Sequence, residues 1–248
     1  AERIQIISDQ YIQLLNAALT NQSDIITKIT LITERSKDTL PDPTSNLDWQ
    51  GFVGCIQDIF SDNADKFPER TCVVETGEID DPNPNKRREF TYQDINRASN
   101  VIAHYLIKTG IKVGDVVMIY SSRGVDLMVT VMGVLKAGAT FSVIDPAYPP
   151  ARQTIYLGVA KPQGLVVLRS AGQLDQLVED YITNELEVIT RIPSVAIQND
   201  GSIQGSLGES TDILEPYQHL KDTRSGVIVG PDSNPTLSFT SGSEGIPK

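Results

Sequence analysis

The last nine residues of the sequence, 240–248, carry the groups that a phosphate-binding loop uses. They read Thr-Ser-Gly-Ser-Glu-Gly-Ile-Pro-Lys. The two glycines permit positive φ and a close approach of the backbone, and the three hydroxyl groups with the loop N–H groups can surround an anion. Lys248 adds a flexible positive charge. The stretch therefore predicts a loop that holds the phosphates of a nucleotide.

This loop differs from a Walker A loop. In that motif a Gly-Lys-Ser/Thr sequence opens a helix, whereas here Pro247 precedes the lysine. Pro247 biases Ile246 toward an extended conformation. We therefore expect a phosphate clamp, formed by residues 235–248, that is mobile without ligand. The alternative is a Ser/Gly-rich tail that is merely flexible.

A strand and a repeating strand–helix pattern are predicted to position the loop. Thr236 to Thr240 alternates Leu237 and Phe239 with hydroxyl residues, which is the period of a half-buried strand. Upstream, apolar strands alternate with helices, a pattern typical of parallel strands in an α/β fold. The strands are predicted at 115–120, 140–144, 164–168 and 194–197, and the helices at 125–136, 151–160 and 174–186.

The earlier part of the chain is predicted to add helices and a pair of strands. Thr91 and Asp94 have the spacing of a capping box, which predicts a helix that runs to Gly110. Further predicted elements are a helix within 50–67, strands at 71–75 and 87–90 around an acidic loop at 77–86, and a mobile surface loop at 199–212. Residues 1–49 are predicted to contain a helix at 4–19, a strand at 25–33 and a linker rich in Pro and Asp at 40–46.

Several polar residues are assigned no chemistry. Asp145 and Tyr148 each precede a proline, and such pairs commonly shape turns, so both are predicted to serve folding. His104 is a lone histidine on a predicted helix. Cys55 and Cys72 provide neither a zinc-binding set nor a disulfide framework. We interpret them as buried thiols in a reducing compartment.

The composition limits the class of protein. The chain has 248 residues, of which 40% are hydrophobic and 21% charged, which is typical of a soluble globular protein. Its net charge of −11 argues against general binding of nucleic acid or anionic membranes. No apolar run approaches the length of a membrane span, and the first residues do not resemble a signal peptide. A cytoplasmic protein is expected.

Three stretches, in order, resemble the adenylate-forming superfamily, which contains acyl-CoA synthetases, luciferases and the adenylation domains of nonribosomal peptide synthetases. FTYQDINRASNVIAHYL resembles the first core motif of adenylation domains, VLKAGATFSVIDPAYPPAR the second, and TSGSEGIPK the phosphate-binding signature. Glu244 departs from the signature, which usually has threonine there. An anion beside phosphates is unfavourable unless a cation bridges them.

The resemblance implies an α/β fold: the N-terminal large subdomain of an adenylate-forming enzyme, with mainly parallel sheets flanked by helices and extra β elements. It also implies ATP and Mg²⁺ as cofactors. The phosphate loop would supply the cofactor-binding residues, while no catalytic residue or metal ligand is assigned within the chain. The implied cofactor-binding residues are Thr240, Ser241, Gly242, Ser243, Glu244, Gly245 and Lys248.

Within the superfamily, FTSGSEGIPK, SSRGVDLM and FVGCIQDIF resemble the branch that reduces L-2-aminoadipate in fungal lysine biosynthesis. This resemblance implies that L-2-aminoadipate is activated as an acyl-adenylate. The acyl group would pass to the phosphopantetheine of a downstream carrier domain, and a downstream NADPH-dependent domain would reduce it to the semialdehyde. Residues 50–248 would be the first part of the adenylation domain, ending in the phosphate-binding loop.

Three alternatives remain at this stage. An acyl-CoA or aryl-CoA ligase would share the phosphate loop, and a non-catalytic adenylation-like module would explain Glu244. Residues 1–49 resemble the linker or the end of an upstream condensation-like region, but an independent helix–strand appendage is equally compatible. Because the later motifs of the superfamily are missing, residues 1–248 alone are expected to be a fragment that is inactive in adenylation and poorly stable.

Overall fold

A computed structural model describes residues 2–20, 26–37, 40, 42, 44–45, 51–76, 87–206 and 211–239. The chain divides into two compact units, Ala1–Phe52 and Val53–Lys248. Among the described residues, no helix is long and apolar enough to cross a membrane.

The first unit consists of helices in its described part. Helix α1 spans Glu2–Thr20, as predicted, and is followed by a 3-10 turn at Ile26–Lys28 and by the short helix α2 at Glu34–Lys37. The predicted strand at 25–33 is wrong for the described residues 26–33. The side-chain amide of Gln13 donates to the carbonyl groups of Thr30 (2.7 Å) and Ile32 (3.3 Å). These carbonyl groups are therefore bound by a side chain rather than by a strand partner.

The second unit begins with helix α3 at Ile56–Lys66, which ends at Phe67 as predicted. The helix starts later than residue 50 because Gly54 has φ of +114°, a value that a helix does not accommodate. Strands β1 (Thr71–Thr76) and β2 (Arg87–Thr91) then form the predicted antiparallel pair. The predicted acidic loop at 77–86 lies outside the described residues.

Helix α4 (Tyr92–Lys108) has the capping box that the sequence predicts. The Thr91 hydroxyl accepts from the backbone N–H of Asp94 (3.2 Å), and the Asp94 carboxylate accepts from the N–H of Thr91 (2.8 Å). These two bonds satisfy backbone donors that the first turn of a helix leaves free.

A five-stranded sheet forms the centre of this unit, in the spatial order β4–β3–β5–β6–β7. The first four strands are parallel, as predicted, and β7 is antiparallel to β6. The strands are β3 (Val116–Tyr120), β4 (Thr140–Ile144), β5 (Gly164–Leu168), β6 (Thr190–Ile197) and β7 (Ile203–Gln204). The connecting helices are α5 (Val125–Lys136), α6 (Pro150–Ala160) and α7 (Gln176–Glu185), and a 3-10 helix follows at Glu215–Leu220.

Strand β7 corrects the prediction of a mobile loop at 199–212. Ile203 is 1% exposed and belongs to the hydrophobic core, so its burial fixes this part of the loop against the edge of the sheet. Residues 207–210 of the same stretch lie outside the described residues.

Helices cover both faces of the parallel sheet. Side chains of α4 and α5 form one hydrophobic core with Val117, Ile119 and Val166 of the sheet. Side chains of α6 and α7 form a second core with Met118 and Leu165. Successive residues of a strand point to opposite faces, so each central strand contributes to both cores. The result is a three-layer arrangement of helices, sheet and helices.

Candidate functional site

The predicted cofactor-binding residues at 240–248 lie outside the residues that the structure describes. Their assignment to ATP phosphates, and the expected mobility of the loop, therefore stay predictions. The described chain reaches Phe239, immediately before Thr240. The structure consequently characterises the segment that leads into the predicted loop and the surface against which that segment packs.

Residues 235–239 lie along strand β4 at the edge of the parallel sheet. The N–H of Phe141 donates to the carbonyl of Pro235 (3.0 Å), and the N–H of Leu237 donates to the carbonyl of Phe141 (2.9 Å). Thr236 and Phe141 form an isolated parallel bridge, so the predicted strand at 236–240 is reduced to a single bridge in its described part. The segment runs in the direction of β4, and Phe239 therefore lies toward the carboxyl end of the sheet.

The side chains of this segment alternate as predicted. Leu237 and Phe239 are half-buried and pack against the core beneath α6 and α7, whereas Thr236 and Ser238 are exposed. The alternation places the apolar side chains on the protein and the hydroxyl groups in solvent. It anchors the chain directly before the predicted phosphate loop.

An aromatic cluster that the sequence analysis did not predict receives Phe239. The rings of Phe239 and Tyr156 have centroids 4.6 Å apart, and those of Tyr156 and Tyr148 are 5.5 Å apart. The guanidinium of Arg152 lies 4.7 Å from the Tyr148 ring and 5.4 Å from the Tyr156 ring. Arg152 Nε also donates to the hydroxyl of Tyr156 (2.8 Å). Arg152 and Tyr156 lie four residues apart on α6, which was the available sequence signal for their contact.

The turn before α6 has the structure that its Asp-Pro and Tyr-Pro pairs predict. The Asp145 carboxylate accepts from the N–H of Ala147 (2.9 Å), and the Asp145 carbonyl accepts from the N–H of Tyr148 (3.0 Å). The side-chain amide of Gln153 donates to the carbonyl of Tyr148 (2.8 Å). Asp145 is therefore occupied in shaping the turn, while Tyr148 also contributes its ring to the aromatic cluster.

A cluster of charged side chains, formed by Glu75, Arg88 and Asp126, lies at the carboxyl end of β6. Glu75 binds Arg88 through two bonds (2.8 and 2.5 Å), and its other oxygen accepts from the N–H of Val125 (3.0 Å) in the first turn of α5. Ile197 connects to the same group, because its carbonyl accepts from Arg88 (3.0 Å) and its N–H donates to Asp126 (2.7 Å). Burial raises the pKa of Asp126. A carboxylate of the protein itself thus occupies the position at the start of α5 where an anion would bind.

The two cysteines and His104, which were assigned no chemistry from the sequence, lie in surroundings that suggest no catalytic role. Cys55 and Cys72 are free thiols that are half-buried rather than fully buried, and partial burial raises the pKa of Cys72. His104 Nε2 lies 2.9 Å from the carbonyl of Thr223. In the described part of the chain, no group of three or more His, Cys, Asp and Glu side chains is arranged to hold a metal ion.

Comparisons with known proteins agree with the fold and with the sequence motifs. The model of a family described as AMP-binding enzyme matches residues 60–248. The chain is 73% identical over 248 residues to the L-2-aminoadipate reductase of Saccharomyces cerevisiae, and 70% identical over 249 residues to the L-2-aminoadipate reductase large subunit of Candida glabrata. Both alignments cover 100% of this chain and 18% of the relative.

A solved structure supports the same fold. The luciferase-like enzyme from the mealworm Zophobas morio superposes with a TM-score of 0.58 at 19% identity, covering 77% of this chain and 41% of that one. The parallel sheet flanked by helices is thus the architecture of the N-terminal subdomain of adenylate-forming enzymes. The chain belongs to the AMP-binding enzyme family.

Proposed function

We propose that this chain forms the first part of an adenylation domain that activates L-2-aminoadipate with ATP. The observation that carries the proposal is the 73% identity, along the whole chain, to the L-2-aminoadipate reductase of S. cerevisiae. The chain spans about a fifth of that relative's length. The later steps therefore belong to other domains of the same polypeptide: transfer to a carrier phosphopantetheine, then NADPH-dependent reduction to the semialdehyde.

In this proposal, residues 240–248 hold the ATP phosphates. Attack of the substrate carboxylate on the α-phosphate moves negative charge onto the phosphoryl oxygens and the departing pyrophosphate. Lys248 and the hydroxyl and N–H groups of the loop would stabilise that charge and hold the phosphates in position. Mg²⁺ bound to the phosphates would neutralise part of the same charge. The described segment 235–239 supports this role because it fixes the chain where the loop begins.

We propose that residues 1–49 do not belong to the adenylation domain. We assign them to the linker or the end of an upstream condensation-like region, and residues 50–248 to the adenylation domain. The sequence ITKITLITERSKD, which resembles such a linker, supports this assignment.

The test is amino-acid-dependent exchange between ATP and labelled pyrophosphate, catalysed by the full-length protein. L-glutamate, one methylene shorter than L-2-aminoadipate, is the matched control substrate. We expect kcat/KM for L-2-aminoadipate to exceed that for L-glutamate by at least about tenfold, since one methylene in a fitted pocket is worth that much. A preference for L-glutamate, or for an acid without an amino group, would contradict the proposed substrate.

Product analysis separates the remaining functions. An adenylation domain of the proposed type loads a thioester onto its own carrier and then consumes NADPH. Formation of a free CoA thioester would instead identify an acyl-CoA or aryl-CoA ligase. Absence of exchange with every acid tested would identify a non-catalytic module.

A further inference from the structure

Residues 226–230, Gly-Val-Ile-Val-Gly, form a surface segment of the second unit that has the geometry of a short strand. The side chains of Val227 and Val229 approach the same point, because one methyl carbon of each lies 2.7 and 3.3 Å from the position of a Cβ atom on Gly138. Ile228, between them, is 91% exposed. This period of two places one face of the segment on the protein and the other in solvent.

One edge of this segment has no backbone partner. The N–H of Val227 donates to Ser225 Oγ (3.3 Å), and the carbonyl of Val229 accepts from the thiol of Cys55 (3.5 Å). In a strand, the backbone groups of successive residues point to opposite edges, so Ile228 lies on the other edge. Its N–H and C=O have no hydrogen-bond partner within the described part of the chain. Such an exposed edge of β-branched residues is one that proteins ordinarily cover.

The sequence of the segment reads the same in both directions about Ile228. Two copies of such a strand can therefore pair in antiparallel orientation around a two-fold axis at this residue, with Val227 of each copy opposite Val229 of the other. The same orientation brings the flanking Arg224 of one copy to the end of the ribbon where Asp232 of the other lies. The charges at both ends are thus complementary, which favours a second copy as the occupant of this edge.

We propose that two copies of this chain associate through residues 227–229, which pair as an antiparallel ribbon with Ile228 of each copy opposite Ile228 of the other. Two reciprocal bonds between the N–H and C=O groups of the two Ile228 residues satisfy the free edge. The ribbon also removes part of both exposed side chains from water. The contact uses the same surface on both copies, so it closes at two and does not propagate. Because the ribbon is short, the association is weak and depends on concentration.

A disulfide cross-link tests the register in the full-length protein. Directly opposite residues of an antiparallel pair have Cα atoms about 5.5 Å apart, which a disulfide can span. Oxidised Ile228→Cys should therefore form a covalent dimer that reduction reverses. Asp232→Cys, at an exposed position, is the matched control, because residue 232 of the second copy lies at the other end of the ribbon. Equal cross-linking of the two variants, or none in the Ile228 variant, would overturn the proposal.

Sedimentation velocity tests the contribution of the backbone. The mass of the full-length wild-type protein should rise toward that of two copies as its concentration increases. Ile228→Pro removes the N–H donor and should abolish this rise, whereas Ile228→Thr keeps the donor and the branched side chain and should only weaken it. An unchanged urea midpoint of the domain shows that each variant is folded. Association of the proline variant equal to that of the wild type would contradict the ribbon.

Hydrogen exchange identifies what covers the edge. In the full-length protein, protection of the Ile228 amide should increase with protein concentration. Protection that is equal at every concentration would show that another part of the same polypeptide covers the edge, and an absence of protection would show that the edge is free. Either of these two results would overturn the proposal.

Discussion

Lys136 is a buried cation where three helices meet. It is 5% exposed, and its ammonium donates to the side chains of Asn96 (2.6 Å), Ser99 (2.8 Å) and Asn100 (2.8 Å). It also lies 5.6 Å from the ring of Phe60 on α3. These neutral acceptors favour the charged form, but burial outweighs them and, with the nearby Arg224, lowers the pKa of Lys136 to about 7. The Lys136 side chain thus links α5 to α3 and α4, but burying its charge lowers the free energy of unfolding.

This cost predicts a dependence of stability on pH. Between the folded pKa of about 7 and the ordinary value of 10.5, the unfolded chain binds more protons than the folded chain. The free energy of unfolding should therefore rise with pH across this window, by up to about 1.4 kcal/mol per pH unit. Lys136→Met should abolish the rise, whereas Lys108→Met, at an exposed lysine, should preserve it.

The prediction is checked by measuring the urea midpoint of the domain in the full-length protein at several pH values between 6.5 and 10. Pulse proteolysis detects the unfolded domain at each urea concentration. An equal slope in the wild type and the Lys136 variant would show that the ammonium is not destabilised by burial.

At the scale of elements, the close contact between α4 and α5 depends on a glycine. A Cβ atom placed on Gly133 would meet Ile102 Cγ2 at 2.7 Å and Ile102 Cβ at 2.8 Å, as well as the carbonyl of Ser99 at 3.2 Å. The branch point of Ile102 cannot move without its helix. The two helices can approach this closely only because residue 133 has no side chain.

Gly133→Ala should therefore lower the free energy of unfolding. Alanine improves helix propensity by up to about 1 kcal/mol, but overpacking a tight core costs about 1–3 kcal/mol, so we expect a net loss of about 1–2 kcal/mol. Gly230→Ala is the control, because a Cβ there meets nothing within 4 Å. A urea midpoint that is unchanged or higher in the Gly133 variant would contradict the close contact.

The attachment of the β1–β2 pair to α5 depends on Glu75. Its carboxylate accepts two bonds from Arg88 and one from the N–H of Val125, so Glu75→Ala leaves three partly buried donors without this acceptor. We expect a loss of about 2 kcal/mol in the free energy of unfolding. Glu89→Ala removes an exposed carboxylate that pairs with Arg87 and should change stability by less than about 0.5 kcal/mol. Equal effects of the two substitutions on the urea midpoint would contradict the structural role assigned to the Glu75 carboxylate.

The elements that the sequence predicts correctly are those that form through interactions between residues close together in the chain. The buried strands β3 and β5 are apolar runs, and the capping box starts α4 within four residues. Features that the sequence does not predict depend on distant partners: Ile203 joins the sheet because β6 offers an edge, and Phe239 meets Tyr156 only after the chain has folded. The strand predicted at 25–33 fails for the same reason, since Gln13 of α1 takes the carbonyl groups. The phosphate loop is predicted from its motif and stays a prediction, whereas the aromatic cluster that receives Phe239 was not predicted.

At the scale of the whole molecule, the chain covers only part of the length of its relatives and leaves apolar side chains exposed. It spans 18% of its S. cerevisiae relative, and α6 and α7 present Ile155, Val159 and Leu177 with 43–54% of their surfaces exposed. In the polypeptide of residues 1–248 taken alone, these side chains would face water. We expect that polypeptide to be poorly stable and to show no pyrophosphate exchange. Exchange with L-2-aminoadipate by purified residues 1–248 would show that they contain a complete site.

The net charge of −11 makes the local positive charge of the phosphate loop the most direct point to test. The decisive measurement is pyrophosphate exchange by the full-length protein carrying Lys248→Ala, with Lys112→Ala, at an exposed lysine in another loop, as the control. We expect Lys248→Ala to lower exchange about a hundredfold, the usual effect of removing one group that stabilises transition-state charge. Its urea midpoint should stay near the wild-type value, because Lys248 is predicted to bind the ATP phosphates rather than to stabilise the fold. Exchange kinetics equal to those of the wild type would contradict the assignment of this loop to the ATP phosphates.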